Sequence, residues 1–129
     1  MENESNSIPT YQRWAARVLV VLTILPFSAS AFFKLTSNPV AVEGFARIGI
    51  PAEALVPIGV VELLCLALYV VPRTTILGTL LLTGYLGGAT LANIVGGTDF
   101  LHALAVGALV WAGAWLRVPG FRRLVPFVQ

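Results

Sequence analysis

The chain is poor in the residues most often used for chemistry. Its 129 residues include one Cys, one His and one Met, and only 11% of them are charged. Cys65 alone can close no disulfide within the chain and form no CxxC redox pair. His102 and Met1 cannot hold a haem through two histidines or a functional His/Met pair. No group of His, Cys, Asp and Glu has metal-ligand spacing either. No metal site and no covalent cofactor is expected, so a cofactor held by this chain would be organic and non-covalent. Eight basic residues against six acidic ones give a formal charge of +2. The basic residues stand at the ends of apolar runs rather than in a patch, so nucleic acid is not an expected partner. Neither strand-like alternation nor an internal repeat is present.

What the chain has is apolar surface. Hydrophobic residues make up 57% of it and the mean hydropathy is +0.87, more than a soluble domain of this length can hide from water. The lipid bilayer is therefore an expected partner. Four apolar runs, at about 14–33, 54–71, 76–95 and 101–116, each approach the roughly 20 residues that cross a bilayer. The reading is all-α: an integral membrane four-helix bundle over 13–118, with a polar N-terminal tail at 1–12 and a basic interfacial C-terminal tail at 119–129. Phe121 and Phe127 are available to anchor that last segment. Pro26 is expected to kink or loosen the first span because it removes a backbone donor. A signal peptide is the alternative for the first run, with small residues for cleavage at Ser28-Ala29-Ser30-Ala31. The apolar run continues through Phe32 and Phe33 past that point, which favours a retained span.

Between the first two spans, Asn38 before Pro39 is a helix start and Gly49 with Pro51 a stop. Val42, Phe45 and Ala46 fall on one side of this segment, and Glu43 and Arg47 pair four apart on another. It reads as a short amphipathic helix at the membrane surface, either a connector or a lid over a cavity. Arg13, Arg17, Arg73, Arg117, Arg122 and Arg123 mark one side of the membrane against Lys34 and Arg47 on the other. By the positive-inside rule both termini are expected in the cytoplasm of a multi-pass inner (plasma) membrane protein.

The residue to explain is Glu62, alone in Ile58-Gly59-Val60-Val61-Glu62-Leu63-Leu64-Cys65-Leu66. A carboxyl near the bilayer centre costs roughly 3 kcal/mol on insertion scales, and intramembrane carboxyls are functional by default. Eight residues into its span, it lies roughly 12 Å deep at 1.5 Å per residue. Gly59, Cys65, Leu66 and Tyr69 share its helical face, which should turn inward. Without a cation partner, Glu62 is expected to be protonated and to donate a hydrogen bond. Tyr85, at the midpoint of span three, is the first choice of partner; Lys34 begins at the outer boundary and would have to reach inward. A role in fixing helix register remains the structural alternative.

In span three, Thr79, Thr83, Gly87 and Thr90 follow one line with Asn93 near its end, opposite Gly84 and Gly88. One face reads as a cavity lining and the other as a close-packing face, with Gly84/Gly88 a candidate oligomer seam. His102 opens span four, and Trp111 and Trp115 near its other end read as interface anchors or packing residues.

A longer series carries a resemblance: Phe33-Lys34, Pro39, Val42-Glu43-Gly44-Phe45, Gly49-Ile50-Pro51, Ile58-Gly59-Val60-Val61-Glu62, Pro72-Arg73, Leu77-Gly78, Thr83-Gly84-Tyr85-Leu86-Gly87-Gly88-Ala89 and Trp111 to Arg117. In order and spacing this resembles the DoxX-like family of small four-helix bacterial membrane proteins. His102 matches a histidine that recurs in the family, whereas Asn93 stands where the family often has another. The resemblance implies a four-helix bundle in the bacterial inner membrane. Through DoxX relatives associated with quinone-linked or thiol-redox complexes, it also implies a redox association. The leading expectation is a membrane subunit that binds an apolar small molecule, such as a quinone, for a redox protein partner. Glu62 and Tyr85 would be its polar floor and catalytic pair, and Lys34, Thr83, Asn93 and His102 further ligand contacts. The alternatives are a stand-alone isomerase or hydrolase using Glu62 as acid or base, and a non-catalytic assembly or stress protein.

Overall fold

The computed structural model describes residues 9–121, and all of the regular structure in them is helical. Arg122, Arg123 and Phe127, and most of the polar N-terminal tail, lie outside the described residues. The helices are α1 (Thr10–Leu35), α2 (Pro39–Arg47), α3 (Leu55–Val70), α4 (Thr75–Val95) and α5 (Leu101–Arg117), with single 3₁₀ turns before α3 and α4. Three helical segments, Thr10–Leu35, Ala52–Val70 and Pro72–Val95, are long and apolar enough to cross a membrane. The fourth, α5, is apolar but has only 17 residues. α1 packs against α3 and α5, α3 against α4, and α4 against α5, so the four long helices close a ring.

Lipid tails are as apolar as leucine, so burying leucines does little to bring membrane helices together; small residues and polar contacts do it instead. The buried set follows that rule. Alongside Leu55, Leu82 and Val110 it contains Thr23, Glu62, Thr75, Thr79, Ala31, Ala103 and Ala114, whereas Val21, Leu25, Leu64, Leu80 and Leu91 are exposed on the outside. The buried residues of α1 after Ala16, namely Thr23, Phe27, Ala31 and Lys34, are spaced as one helical face. Thr23 and Thr79 each return their hydroxyl proton to their own helix, at Leu19 O (2.8 Å) and Thr75 O (2.7 Å), so no polar hydrogen is stranded. Pro26 does not interrupt α1.

Two glycines allow the tightest approaches. A Cβ on Gly78 would stand 2.2 Å from Tyr69 N, and one on Gly113 would stand 2.3 Å from Tyr69 Oη. Tyr69 is fully buried between α4 and α5 and donates to Val110 O at 3.0 Å. Arg117, on the last turn of α5, caps the neighbouring helix: Nη1 donates to Tyr69 O at 2.9 Å and Nη2 to Val70 O at 2.6 Å, at the C-terminal end of α3. Phe121, expected as an interfacial anchor, is instead buried against Trp111 (ring centroids 5.5 Å apart) and Trp115 (6.3 Å). The two tryptophans supply a packing surface for it.

At the other end of the ring, the links are short and closed by hydrogen bonds. Ser37 N donates to Lys34 O and Asn38 N to Phe33 O, with Ser37 at φ 49°. The same pair of bonds ends α2 at Gly49 (φ 78°) and α4 at Gly97 (φ 66°). Asn38 then caps α2 through Val40 N–H to Oδ1 at 3.0 Å, with Pro39 at the first helical position. The predicted start and stop of this helix both hold. Its face toward the protein shares Phe45 with the predicted one, and Val42 is half-buried beside it. Ala41, Gly44, Phe45 and Ile48 line a cavity there, Val42 and Ala46 do not, and Glu43 and Arg47 form no ion pair.

Candidate functional site

Lys34 is set on the last turn of α1, where side chains lean back toward the helix N-terminus, and its four-carbon stem carries the ammonium inward. It is 7% exposed and Glu62 is 1% exposed. The ammonium donates to Glu62 Oε2 at 2.8 Å, to Tyr85 Oη at 2.8 Å and to Ser30 Oγ one turn back on α1. All three of its protons are used. This is the sole ion pair among the described residues.

The geometry revises the expected roles. The partner of Glu62 is Lys34, and Tyr85 is joined to it through the same ammonium. The condition under which Glu62 was expected to be neutral, the absence of a cation, is not met. Lys34, which begins at a helix boundary, lies at the cavity floor because two acceptors inside draw it there. The sequence placed Lys34 at a helix boundary, and nothing in spacing along the chain shows that a flexible stem turns inward.

Above this cluster lies a cavity of about 1000 Å³, reaching from Glu62 and Tyr85 to the C-terminal end of α4 and the N-terminal end of α5. Its walls are mainly apolar, with Phe27 and Phe33 of α1, Phe45 and Ile48 of α2, Leu86 of α4 and Val106 of α5. The Phe45 ring stands 5.8 Å from Lys34 Nζ and the Tyr85 ring 5.5 Å from it. The Phe45 face thus helps hold the cation while Tyr85 meets it through its hydroxyl, and α2 is tied to the polar floor as well as to the apolar wall. Gly84 and Gly88 also line the cavity, and a Cβ at either would meet nothing within 4 Å. The close-packing role predicted for this pair within the chain is therefore not found; these glycines leave one wall of the cavity flat.

Asn93 and His102 both reach the cavity lining at the end away from Glu62. Asn93 Oδ1 accepts from Thr98 Oγ1 at 2.9 Å, and His102 is exposed on the first turn of α5. Thr83 is the sequence candidate that the structure separates from the rest. Its hydroxyl donates to Thr79 O at 2.7 Å and accepts from Trp111 Nε1 at 2.9 Å, away from the cavity. Ser30 was missed as a candidate. Its place four residues before Lys34 was the available signal, once Lys34 is allowed to point inward.

The model of the DoxX-like family matches residues 18–116, which takes in most of α1 and all but the last residue of α5. The chain belongs to the DoxX-like family. Neither a curated protein nor a solved structure matches it. Every cavity-lining side chain named above falls within the matched residues of this DoxX-like protein.

Proposed function

We propose that this DoxX-like protein is a four-helix bundle of the bacterial inner membrane, with both termini cytoplasmic, that binds a quinone or similar apolar carbonyl compound beneath α2 for a redox partner. The single observation that carries the reading is the Lys34–Glu62–Tyr85 cluster at the floor of an otherwise apolar cavity. α5 counts as the fourth span because it closes the ring between α1 and α4; at 1.5 Å per residue it is about 26 Å long, close to the hydrocarbon thickness.

The donor set fits such a ligand. An apolar slot with few, fixed polar groups is the usual form of a small-molecule site. Tyr85 Oη accepts from Lys34, and its own proton would be shared between Glu62 and the carbonyl oxygen of a ligand. Lys34 engages Oε2 of Glu62 at 2.8 Å. The flat wall at Gly84 and Gly88 suits a planar ring. A quinone supplies two-electron chemistry when a partner's redox centre delivers the electrons. Tyr85 would orient its head, Lys34 would hold the tyrosine hydroxyl in place, and Glu62 would store a proton beside both. Eight residues, about 12 Å along α4, separate Tyr85 from Asn93, so both cannot contact one ring. Asn93 and His102 would serve the opening.

Titration of the purified chain with a short-chain quinone tests the reading. Binding that weakens at least about tenfold in Tyr85→Phe, the loss of one well-placed hydrogen bond in a dry site, supports it. No binding to wild type, or equal binding to both, contradicts it.

A further inference from the structure

A second cavity, of about 260 Å³, lies at the other end of the helices, between the first turns of α1, the α3–α4 turn and the end of α5. Three arginines line it: Arg13 and Arg17 from α1 and Arg117 from α5. Arg13 and Arg17 are four apart, so their like charges share a face. Neither has a carboxylate partner among the described residues, where Glu43, Glu53 and Asp99 all belong to the opposite end of the ring. Arg117 directs two of its donors to the carbonyls of Tyr69 and Val70, neutral groups that leave its charge uncompensated. Pro72 and Thr75 complete the wall at the start of α4, a helix end with no side-chain cap and a preference for negative charge. The rest is apolar: Ala16, Leu116 and Val118. Arg17 also lies 5.6 Å over the Trp14 ring, a residue type that sits at headgroup level.

Three guanidinium groups with no carboxylate partner among the described residues line one small concave space, an anion there would relieve their like charge, and a phosphate matches their forked donors. We propose that this cavity is a phosphate-binding site. An anionic phospholipid headgroup and a free phosphate share that chemistry; the apolar wall and the depth marked by Trp14 favour the lipid. All three arginines lie outside residues 18–116, so nothing in this site rests on the family match.

The test is native mass spectrometry of the full chain in detergent. Retention of phosphatidylglycerol is compared with that of phosphatidylcholine of the same acyl chains, with and without millimolar inorganic phosphate. Wild type is expected to prefer the anionic lipid, and Arg13→Gln with Arg17→Gln to lower that preference about thirtyfold, as expected for removing two cations at a membrane surface. Arg73→Gln, a cation on the same side outside the cavity, is expected to change it little. Displacement of the lipid by inorganic phosphate also supports the site and assigns it to a soluble source. Equal retention of both lipids with no effect of phosphate overturns the proposal, as does a loss in Arg73→Gln equal to that in the Gln pair. If the Gln pair fails to fold, Arg17→Lys is read instead, since it keeps the charge and loses the fork. It is expected to lower the preference, and an unchanged preference overturns the site.

Discussion

The Lys34 ammonium stands 2.8 Å from Glu62 Oε2 across 28 residues of sequence, and the same nitrogen reaches Tyr85, a further 23 residues on. One cation therefore ties α1, α3 and α4 together at a single level, where the ring opens into its larger cavity. A buried pair of this kind is weak evidence for stability, because desolvating both charges cancels much of their attraction. Its value lies in fixing where three polar side chains sit inside an apolar wall.

Removing one partner is expected to cost more than removing both. Glu62→Leu leaves the ammonium uncompensated and Lys34→Met leaves the carboxyl without its cation; each should lower stability by about 3–5 kcal/mol. The double variant should recover most of that loss. Unfolding of the four proteins in mixed detergent measures the coupling, and additive losses would show that the two residues do not act as a pair.

The end of the ring opposite the larger cavity makes a sharper steric prediction. Gly113→Ala should be strongly destabilising because its Cβ would meet Tyr69 Oη at 2.3 Å, while the next atom of that ring is 3.6 Å away. Tyr69→Phe removes the offending oxygen, so the pair Gly113→Ala with Tyr69→Phe should be more stable than Gly113→Ala alone. Melting temperatures decide this, and a pair less stable than either single variant would contradict the close approach.

Arg117 predicts a difference between charge and shape. Arg117→Lys keeps a cation near the end of α3 but cannot donate to Tyr69 O and Val70 O in the same fork. Arg117→Gln, which loses the charge as well, should cost about 1.5–3 kcal/mol, the usual range for hydrogen bonds from a charged group. The lysine variant should fall between it and wild type; equal stability of all three would mean that the cap is idle.

Much of the fold was legible because membrane physics leaves few choices. The four apolar runs became α1, α3, α4 and α5, and the Asn38-Pro39 start and Gly49 stop gave α2 its bounds. The face of α3 that carries Glu62 also read correctly, since Gly59, Cys65, Leu66 and Tyr69 are all buried with it. Pairing across helices was not legible. Glu62 with Lys34 needs the inward turn of a long side chain, and the inward face of α2 depends on how its link to α1 aims it. The glycines of α4 misled for a related reason: the spacing of Gly84 and Gly88 permits close packing, but only a neighbour can use it, and here a cavity occupies that place.

That cavity gives its own prediction. Gly88→Leu places a side chain where a Cβ meets nothing within 4 Å, so it should fold with little loss of stability while filling part of the space. Ligand retention should fall and the melting temperature should not. If the variant instead shifts the protein between oligomeric states, the Gly84/Gly88 face is a seam between copies rather than a cavity wall.

The central claim, that the Lys34–Glu62–Tyr85 cluster is the floor of a ligand site, is tested most directly by analysing what the protein carries with it. Native mass spectrometry and organic extraction of the detergent-purified chain would compare wild type with Tyr85→Phe and Glu62→Gln, with melting recorded for each. The account predicts a defined apolar molecule bearing a carbonyl or hydroxyl in wild type, lost from Tyr85→Phe while the fold persists. The same molecule at the same occupancy in all three proteins, or none in any of them at equal stability, would contradict it and leave the cluster a structural tie.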